Sequence, residues 1–416
     1  MKTRNRILVI GAGASGLFAA ITAAECGADV TVVEKGKKPG HKLLMTGNGR
    51  CNFTNIGDSS YVYHGTEREF ANAVLAAFTP QDAIRKFTKL GIYTTNKNGW
   101  MYPRSETATS VLQVLLWRCE ELHVKIKCSE EILKIEKNGT VFAAYSKTWQ
   151  YEADRVILAC GSAASLSASQ LPLHGFELST ELGHRLAKPI PALVPLNVQQ
   201  ANTYKWTGVR VNANVSLYTE KDRIYIANAY GQVQLTAYGI SGIPVFAISG
   251  RTLRLIEGGA GACIVLDFFP ELELEALCLL LESRMKYRPG ASMSDLLVGI
   301  LPEKLIHAVA ARAFQLLKDH ADDADGNEPW KDTYALALAV KQFAVKVTGS
   351  QGFPLAQSCA GGVLTGEIDS SSCESKITPG LYITGEMLDI DGECGGWNLQ
   401  FAWSTGYLAG KNAAEG

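Results

Sequence analysis

Residues 6–34 leave the start of the chain little freedom. Arg6 to Ile10, RILVI, is a short continuous apolar run, as expected of a strand buried on both faces. It runs directly into GAGASG (Gly11–Gly16). Leu17, Ala20, Ile21 and Ala24 then recur at helical spacing until Gly27 stops the helix. A second apolar strand, VTVV, finishes at Glu34. Strand, glycines, helix, strand and acid in this order form a β-α-β unit for a dinucleotide. Gly11 makes the tight turn, Gly13 lets a pyrophosphate approach the backbone, and Gly16 lets helix pack on strand. Ala14 and Ser15 open a helix whose free N–H groups and positive dipole end face the phosphates. Glu34, 18 residues after Gly16, is placed to accept hydrogen bonds from a ribose diol, with Lys35 beside it. FAD and NAD share the adenosine diphosphate half, so this unit alone does not choose between them.

Two further segments bear on that choice. ADRVILACGSAA (Ala153–Ala164) reads as a buried strand ending in small residues, so that a ligand can approach the backbone at Gly161. GLYITGEMLDIDGECGGWNLQFAWSTGYLAG (Gly380–Gly410) reads as a strand, an irregular loop over 385–396, and a helix from Asn398 with small residues at Ala402, Gly406 and Ala409. The second strand-loop-helix points another helix N-terminus at a ligand. A reduced flavin ring carries negative charge that such a helix start stabilises, whereas NAD has no such need. FAD is the expected cofactor.

The stretch HKLLMTGNGRCNFTN (His41–Asn55) shows neither helical nor strand period and reads as a polar loop that wraps a ligand. Together GNGRCNFTN, GISG and GEMLDIDGECGGWNLQFAWSTG resemble the BaiN-like NAD(P)/FAD-dependent oxidoreductases, also called the aminoacetone oxidase family. That family also includes ribosomal RNA dihydrouridine synthases. The resemblance runs nearly end to end. It implies FAD with Lys42, Thr46, Gly49, Arg50 and Asn52 along the pyrophosphate and ribityl chain. Since no histidine or cysteine stands in a context for a covalent flavin link, the FAD is expected to be non-covalent. Arg50 would be the charge partner of phosphate. It further implies that the backbone of Ile132 meets the adenine, and that Gly385, Glu386, Asp389, Asn398 and Leu399 surround the isoalloxazine. The chain departs from the family at GISGIPVF, where Ile243 precedes Pro244, and at Trp397, where the family commonly has tyrosine.

Between Lys188 and Asn197 the βαβ pattern ends in three closely spaced prolines. Residues from Val209 to about Phe269 alternate as antiparallel strands, Pro270 to about Val340 is helical, and Phe343–Gly349 returns as a strand. The expected class is α/β. A split Rossmann-type FAD-binding domain (1–190 and 352–416) holds an inserted β-rich substrate domain (191–269 and 340–351). The insert itself carries a helical insertion (270–339). The HADDADGNEP run within that insertion reads as a solvated loop.

A formal net charge of −1 gives no global basic field for nucleic acid. RNA enters as a candidate partner only through the resemblance. Residues 270–339 hold seven Lys/Arg against twelve Asp/Glu, a net of −5 that repels a phosphate backbone. The basic, apolar start resembles a signal peptide, but glycines at 11, 13 and 16 break it and a strand follows. No other apolar run approaches the roughly 18 residues that span a bilayer. Ten scattered cysteines without a C-x-x-C pair suggest neither zinc nor a disulfide framework, and a cytoplasmic location is expected. No metal-ligand spacing is found among the histidines.

For chemistry, Cys51 is a candidate proton donor, with simple packing as its alternative. Asp391 is a candidate acid-base group, with turn chemistry as its alternative. No second dinucleotide fingerprint is present, so NAD(P)H would visit the flavin transiently as a donor. The expected activity is hydride transfer from NAD(P)H through FAD to an activated C=C bond, an enone or a uracil. The alternatives are oxidation of a small amine such as aminoacetone by oxygen, and a flavin-bearing binding protein without turnover.

Overall fold

The computed structural model describes residues 4–67, 69–165, 174–199, 203–319 and 332–416. The chain divides into two compact units, Met1–Ala192 with Gln357–Gly416, and Leu193–Ala356. The His320–Pro329 run lies outside the described residues.

The first unit is built on a five-stranded parallel sheet. Its strands in chain order are β1 (Arg6–Ile10), β2 (Asp29–Glu34), β3 (Lys125–Cys128), β4 (Arg155–Leu158) and, following β5 (Ser358–Val363) of a separate two-stranded sheet, β6 (Leu381–Ile383). They lie side by side as β6-β4-β1-β2-β3. Val9 sits between Ile157 and Val32 in register, and all three are buried, which is why β1 is apolar on both faces. A three-stranded antiparallel sheet, Ile132–Asn138, Val141–Ser146 and Gln150–Ala153, precedes β4. β5 pairs antiparallel with Leu186–Ala192. Pro189 and Pro191 stand in that partner strand, in a sheet of only two strands, where a missing N–H costs no ladder bond on the outer side.

Two helices bind the ends of this unit together. α1 (Ala14–Glu25) follows β1 and α2 (Trp397–Glu415) follows β6. They cross at backbone distance. A Cβ on Gly406 would fall 2.6 Å from the Ser15 carbonyl oxygen, and one on Gly410 would fall 2.3 Å from that of Ala19. Glycines four apart therefore give α2 a flat stripe that only α1's backbone can fill.

α2 also pins the His41–Asn55 stretch, and here the expectation of a plain loop is corrected. His41–Met45 is a one-turn helix, Thr46–Gly49 a 3-10 turn, and Thr54–Asn55 a short strand. One turn buries only Leu43, so no period could show in the sequence. Gly47, Asn48 and Cys51 lie at φ of 57°, 55° and 59°, a backbone that glycine and asparagine tolerate. Trp403 Nε1 donates to the Phe53 carbonyl at 2.8 Å, and Thr54 Oγ1 donates to Gln400 Oε1 at 2.5 Å. Gln400 Nε2 donates in turn to Phe78 O and Ser404 Oγ, both at 3.0 Å. Gln400→Leu would strand the buried Thr54 hydroxyl and weaken the hold on Phe78. It should lower stability by about 2–3 kcal/mol, read as a shift in the denaturation midpoint with an unchanged slope.

The second unit is a closed antiparallel barrel of Leu196–Gln199, Gly239–Ser241, Tyr225–Leu235, Arg210–Thr219, Ala262–Asp267 and Phe343–Ser350, in that spatial order. The alternation read from Val209 onward appears as Ala213, Val215 and Leu217 buried on one face of the second longest strand. One element is a correction. Ile243–Glu257, inside the stretch expected to be strands only, is a fifteen-residue helix packed against five of the barrel strands. Its signals were present as Pro244 in the first turn and Gly258 after the last. The helices Leu274–Tyr287, Met293–Leu297, Glu303–Asp319 and Asp332–Lys341 belong to the same compact unit. Lys341 ties the last of them to the barrel through Asp267, at 2.8 Å, and the Phe269 carbonyl, at 3.0 Å.

Candidate functional site

The glycines after β1 have separate jobs. Gly11 sits at φ 108°, and a Cβ there would fall 2.3 Å from the Ala159 carbonyl oxygen, just past the end of β4. A Cβ on Gly16 would fall 1.9 Å from the Gly11 carbonyl oxygen, so it is the contact between helix and strand that excludes a side chain. Gly13 is different. Nothing lies within 4 Å of the Cβ it lacks, and it faces a cavity of about 390 Å³. Gly13, as N-cap of α1, supplies no side chain to the first N–H groups, so they are left for a ligand.

Glu34 closes the end of β2. Its Oε2 accepts from Ala12 N at 2.8 Å and its Oε1 accepts from Gly36 N at 2.7 Å. Two backbone donors fix the carboxylate in place, and each oxygen retains lone-pair capacity toward the cavity. A smaller cavity of about 60 Å³ shares Gly11, Glu34, Lys35 and Gly161 with the larger one and extends to Ile132, Glu130 and His174. A Cβ on Gly161, at φ 72°, would also meet nothing within 4 Å.

On the other side, β6 leads into Gly385 at φ 63°, where a Cβ would fall 2.8 Å from Ser15 Oγ. Thr405 Oγ1 accepts from Gly385 N at 3.0 Å and holds the turn against α2. α2 starts after Gly396, at φ 91°, again with no side-chain cap. Asn398, Leu399 and Ala402 of its first turns line the same cavity as Ala14 and Ser15 of α1. The crossing of α1 and α2 at Gly406 thus brings two uncapped helix starts to one cavity.

Between them lies a polar wall. Lys42 pairs with Glu386 Oε2 and donates to Ser162 Oγ at 3.1 Å. Ser162 donates to Glu386 Oε2 at 2.8 Å, and Ser358 to Glu386 Oε1 at 3.2 Å. Three donors hold this carboxylate, and the charges of Lys42 and Glu386 cancel.

Of the residues expected at a cofactor, Gly11, Gly13, Ala14, Ser15, Glu34, Lys35, Lys42, Thr46, Gly161, Gly385, Glu386, Asn398 and Leu399 line the larger cavity, and Ile132 lines the smaller. Gly16, Gly49, Arg50, Asn52 and Asp389 do not. The left-handed turn at Gly47–Gly49 carries Arg50 outward into solvent, where its charge acts on Tyr102 and Glu106. Asn52 is 7% exposed, and neither atom of its amide has a partner among the described residues. Asp389 accepts from Thr66 N at 2.9 Å and from the Thr66 hydroxyl. Cys51 is fully buried off the cavity wall, and burial pushes its thiol up to about 12. Of its two expected roles, proton donor or packing, this placement favours packing. Asp391 is buried in a two-residue strand paired with His64, likewise off the wall. Ser162, Ser358 and Gln357 were not singled out in the sequence. Only Ser162 carried a signal, its place directly after Gly161.

FAD fits these residues. An anionic pyrophosphate would meet a bare helix start at Gly13, a ribose would meet the fixed carboxylate of Glu34, and a second bare helix start lines the same cavity.

A family model described as the HI0933-like protein Rossmann domain matches residues 5–412. A 3-dehydro-bile acid delta(4,6)-reductase of Clostridium scindens is 41% identical over 415 residues, 99% of each chain. Ribosomal RNA dihydrouridine synthases of Escherichia coli and Haemophilus influenzae are each 27% identical. Their matches cover 97% and 96%, respectively, of both chains.

Proposed function

The chain belongs to the HI0933-like Rossmann-domain family, and from that premise we propose that it passes a hydride from NAD(P)H through FAD to a C=C bond conjugated with a carbonyl. It is an enzyme, an FAD-dependent oxidoreductase. The observation that carries the flavin reading is the convergence of two uncapped helix starts on one cavity beside Glu34. The acceptor class is supported by the relatives, whose names describe saturation of such a bond in a steroid acid and in uridine. A small molecule is favoured over RNA, since residues 270–339 carry a net charge of −5.

Bound FAD supplies a carrier that takes and gives up a hydride. The chain's own residues do the rest. The start of α1 holds the pyrophosphate, and Glu34 accepts from the ribose. Lys42 and Glu386 line the middle of the cavity as a neutral pair. The start of α2 offers N–H groups and a positive dipole end to negative charge at the ring. No helix among the described residues is long and apolar enough to cross a membrane.

Anaerobic stopped-flow mixing with NADH and with NADPH tests the donor, followed by addition of a 3-keto-4-ene steroid or of oxygen. One or both nicotinamides should bleach the flavin, and the enone should restore its colour faster than oxygen does. Ping-pong kinetics should follow, because donor and acceptor must use the ring in turn. If neither nicotinamide reduces the flavin, a small primary amine does, and oxygen reoxidises it within a turnover, the protein is an oxidase.

A further inference from the structure

Ser358 is the first residue of β5 and is held through its pairing with Ala192. It is 1% exposed, so its hydroxyl has no route to solvent. That hydroxyl has one proton and two acceptors, Glu386 Oε1 at 3.2 Å and Asn398 Oδ1 at 3.3 Å. The identity of the amide oxygen is fixed by its other contacts. Asn398 Oδ1 accepts from Gly392 N at 2.8 Å, while Asn398 Nδ2 donates to Gly392 O at 2.8 Å. A flipped amide would set donor against donor. Glu386 and Asn398 both line the cavity, one after β6 and the other in the first turn of α2. Ser358 stands behind them and joins them.

We propose that Ser358 is a positioning residue that couples the Glu386 carboxylate to the start of α2 and thereby sets the reduction potential of the bound flavin. The physical argument is one of unmet acceptors. Without the hydroxyl, a carboxylate oxygen and an amide oxygen keep their places with no proton between them, on the buried side of the cavity wall where Ser358 stands. Glu386 then has two donors instead of three, both on Oε2, and more of its negative charge is felt in the cavity. Charge of that sign opposes the negative charge a flavin gains on reduction. The reduced form should therefore lose more affinity than the oxidised form, and the potential should fall.

This inference rests on the reading that the cavity holds FAD. Purified wild type with no flavin, and no binding of added FAD, would overturn that reading by itself. With flavin present, Ser358→Ala is titrated with FAD and equilibrated with a redox dye and a chemical reductant, which needs neither nicotinamide nor substrate. Oxidised FAD should bind about fivefold more weakly. Reduced FAD should lose about threefold more again, a fall of about 14 mV in the two-electron midpoint. In a Glu386→Gln background, Ser358→Ala should no longer move the midpoint, since the uncompensated charge is gone. A purely structural serine would shift stability in both backgrounds alike and leave the potential where it was. A wild-type midpoint in Ser358→Ala, or an equal fall in both backgrounds, overturns the proposal. Should Ser358→Ala not fold, Ser358→Cys, a weaker donor of similar size, carries the same comparison.

Discussion

Gly13→Ala should fold as the wild type does yet come off the column without colour, whereas Gly16→Ala should fail before colour is in question. The two positions lie in the same turn and differ in what surrounds them. Gly13 has a φ of −83°, open to any residue, and empty space where its side chain would stand. A methyl group there costs the apo fold at most about 0.5 kcal/mol. It occupies the place where a pyrophosphate must touch backbone. FAD should bind roughly a hundredfold more weakly, about 3 kcal/mol. At Gly16 the added atom would lie 1.9 Å from a carbonyl oxygen and 3.1 Å from the Ala159 methyl. Backbone cannot yield as a side chain can, and the loss should reach about 3 kcal/mol or more. Flavin absorbance and thermal melts of the two apo proteins separate the cases. Wild-type flavin content in Gly13→Ala would show that the pyrophosphate lies elsewhere.

Glu34→Gln should be nearly as damaging as Glu34→Ala, which is unusual for so small a change. Both carboxylate oxygens accept from backbone N–H groups, Ala12 on one side and Gly36 on the other. An amide has one oxygen and one NH₂, so one of those N–H groups would face a donor whichever way the amide turned. Hydrogen bonds to a charged group are worth about 1.5–3 kcal/mol each. Either variant should therefore weaken FAD by roughly ten- to a hundredfold, measured by titrating apo protein. Affinity in Glu34→Gln equal to that of the wild type would mean that the carboxylate neither shapes the turn nor meets the ribose.

The parts of the molecule that could be read in advance are those where glycine interrupts a strongly apolar run. The β1-α1-β2 unit and the β6-to-α2 segment are of this kind, and their elements fall where the glycines put them. The helix Ile243–Glu257 escaped because strands flank it on both sides and its apolar positions blend into their alternation. His41–Met45 escaped for a different reason, being a single turn with one buried residue. In the cavity wall, Lys42 and Glu386 are 344 residues apart in the chain, and no local pattern announces their pairing. Ser358 is harder still. Its neighbours in sequence say strand, and its role comes from two side chains that reach it from a later loop and helix. Arg50 and Asp389 enter through the resemblance alone: the first stands exposed after a left-handed turn, the second accepts from Thr66, and neither is among the cavity's lining residues.

The glycine contact between α1 and α2 also dictates an order of manufacture. About half of the residues that line the cavity lie within 11–46; those at 159–165, Gln357 and five within 385–402 complete it. The strand order β6-β4-β1 likewise waits for residues 381–383. At about 5–20 residues per second, roughly 20–70 s separate synthesis of Glu34 from synthesis of Ala402. Residues 193–356, by contrast, form one unbroken stretch that contains every strand of the barrel. The barrel can close while the chain is still growing, and the nucleotide fold around its two ends cannot. A nascent chain stalled short of α2 therefore presents the face of α1 that Gly406 and Gly410 would cover, and it has no finished place for FAD.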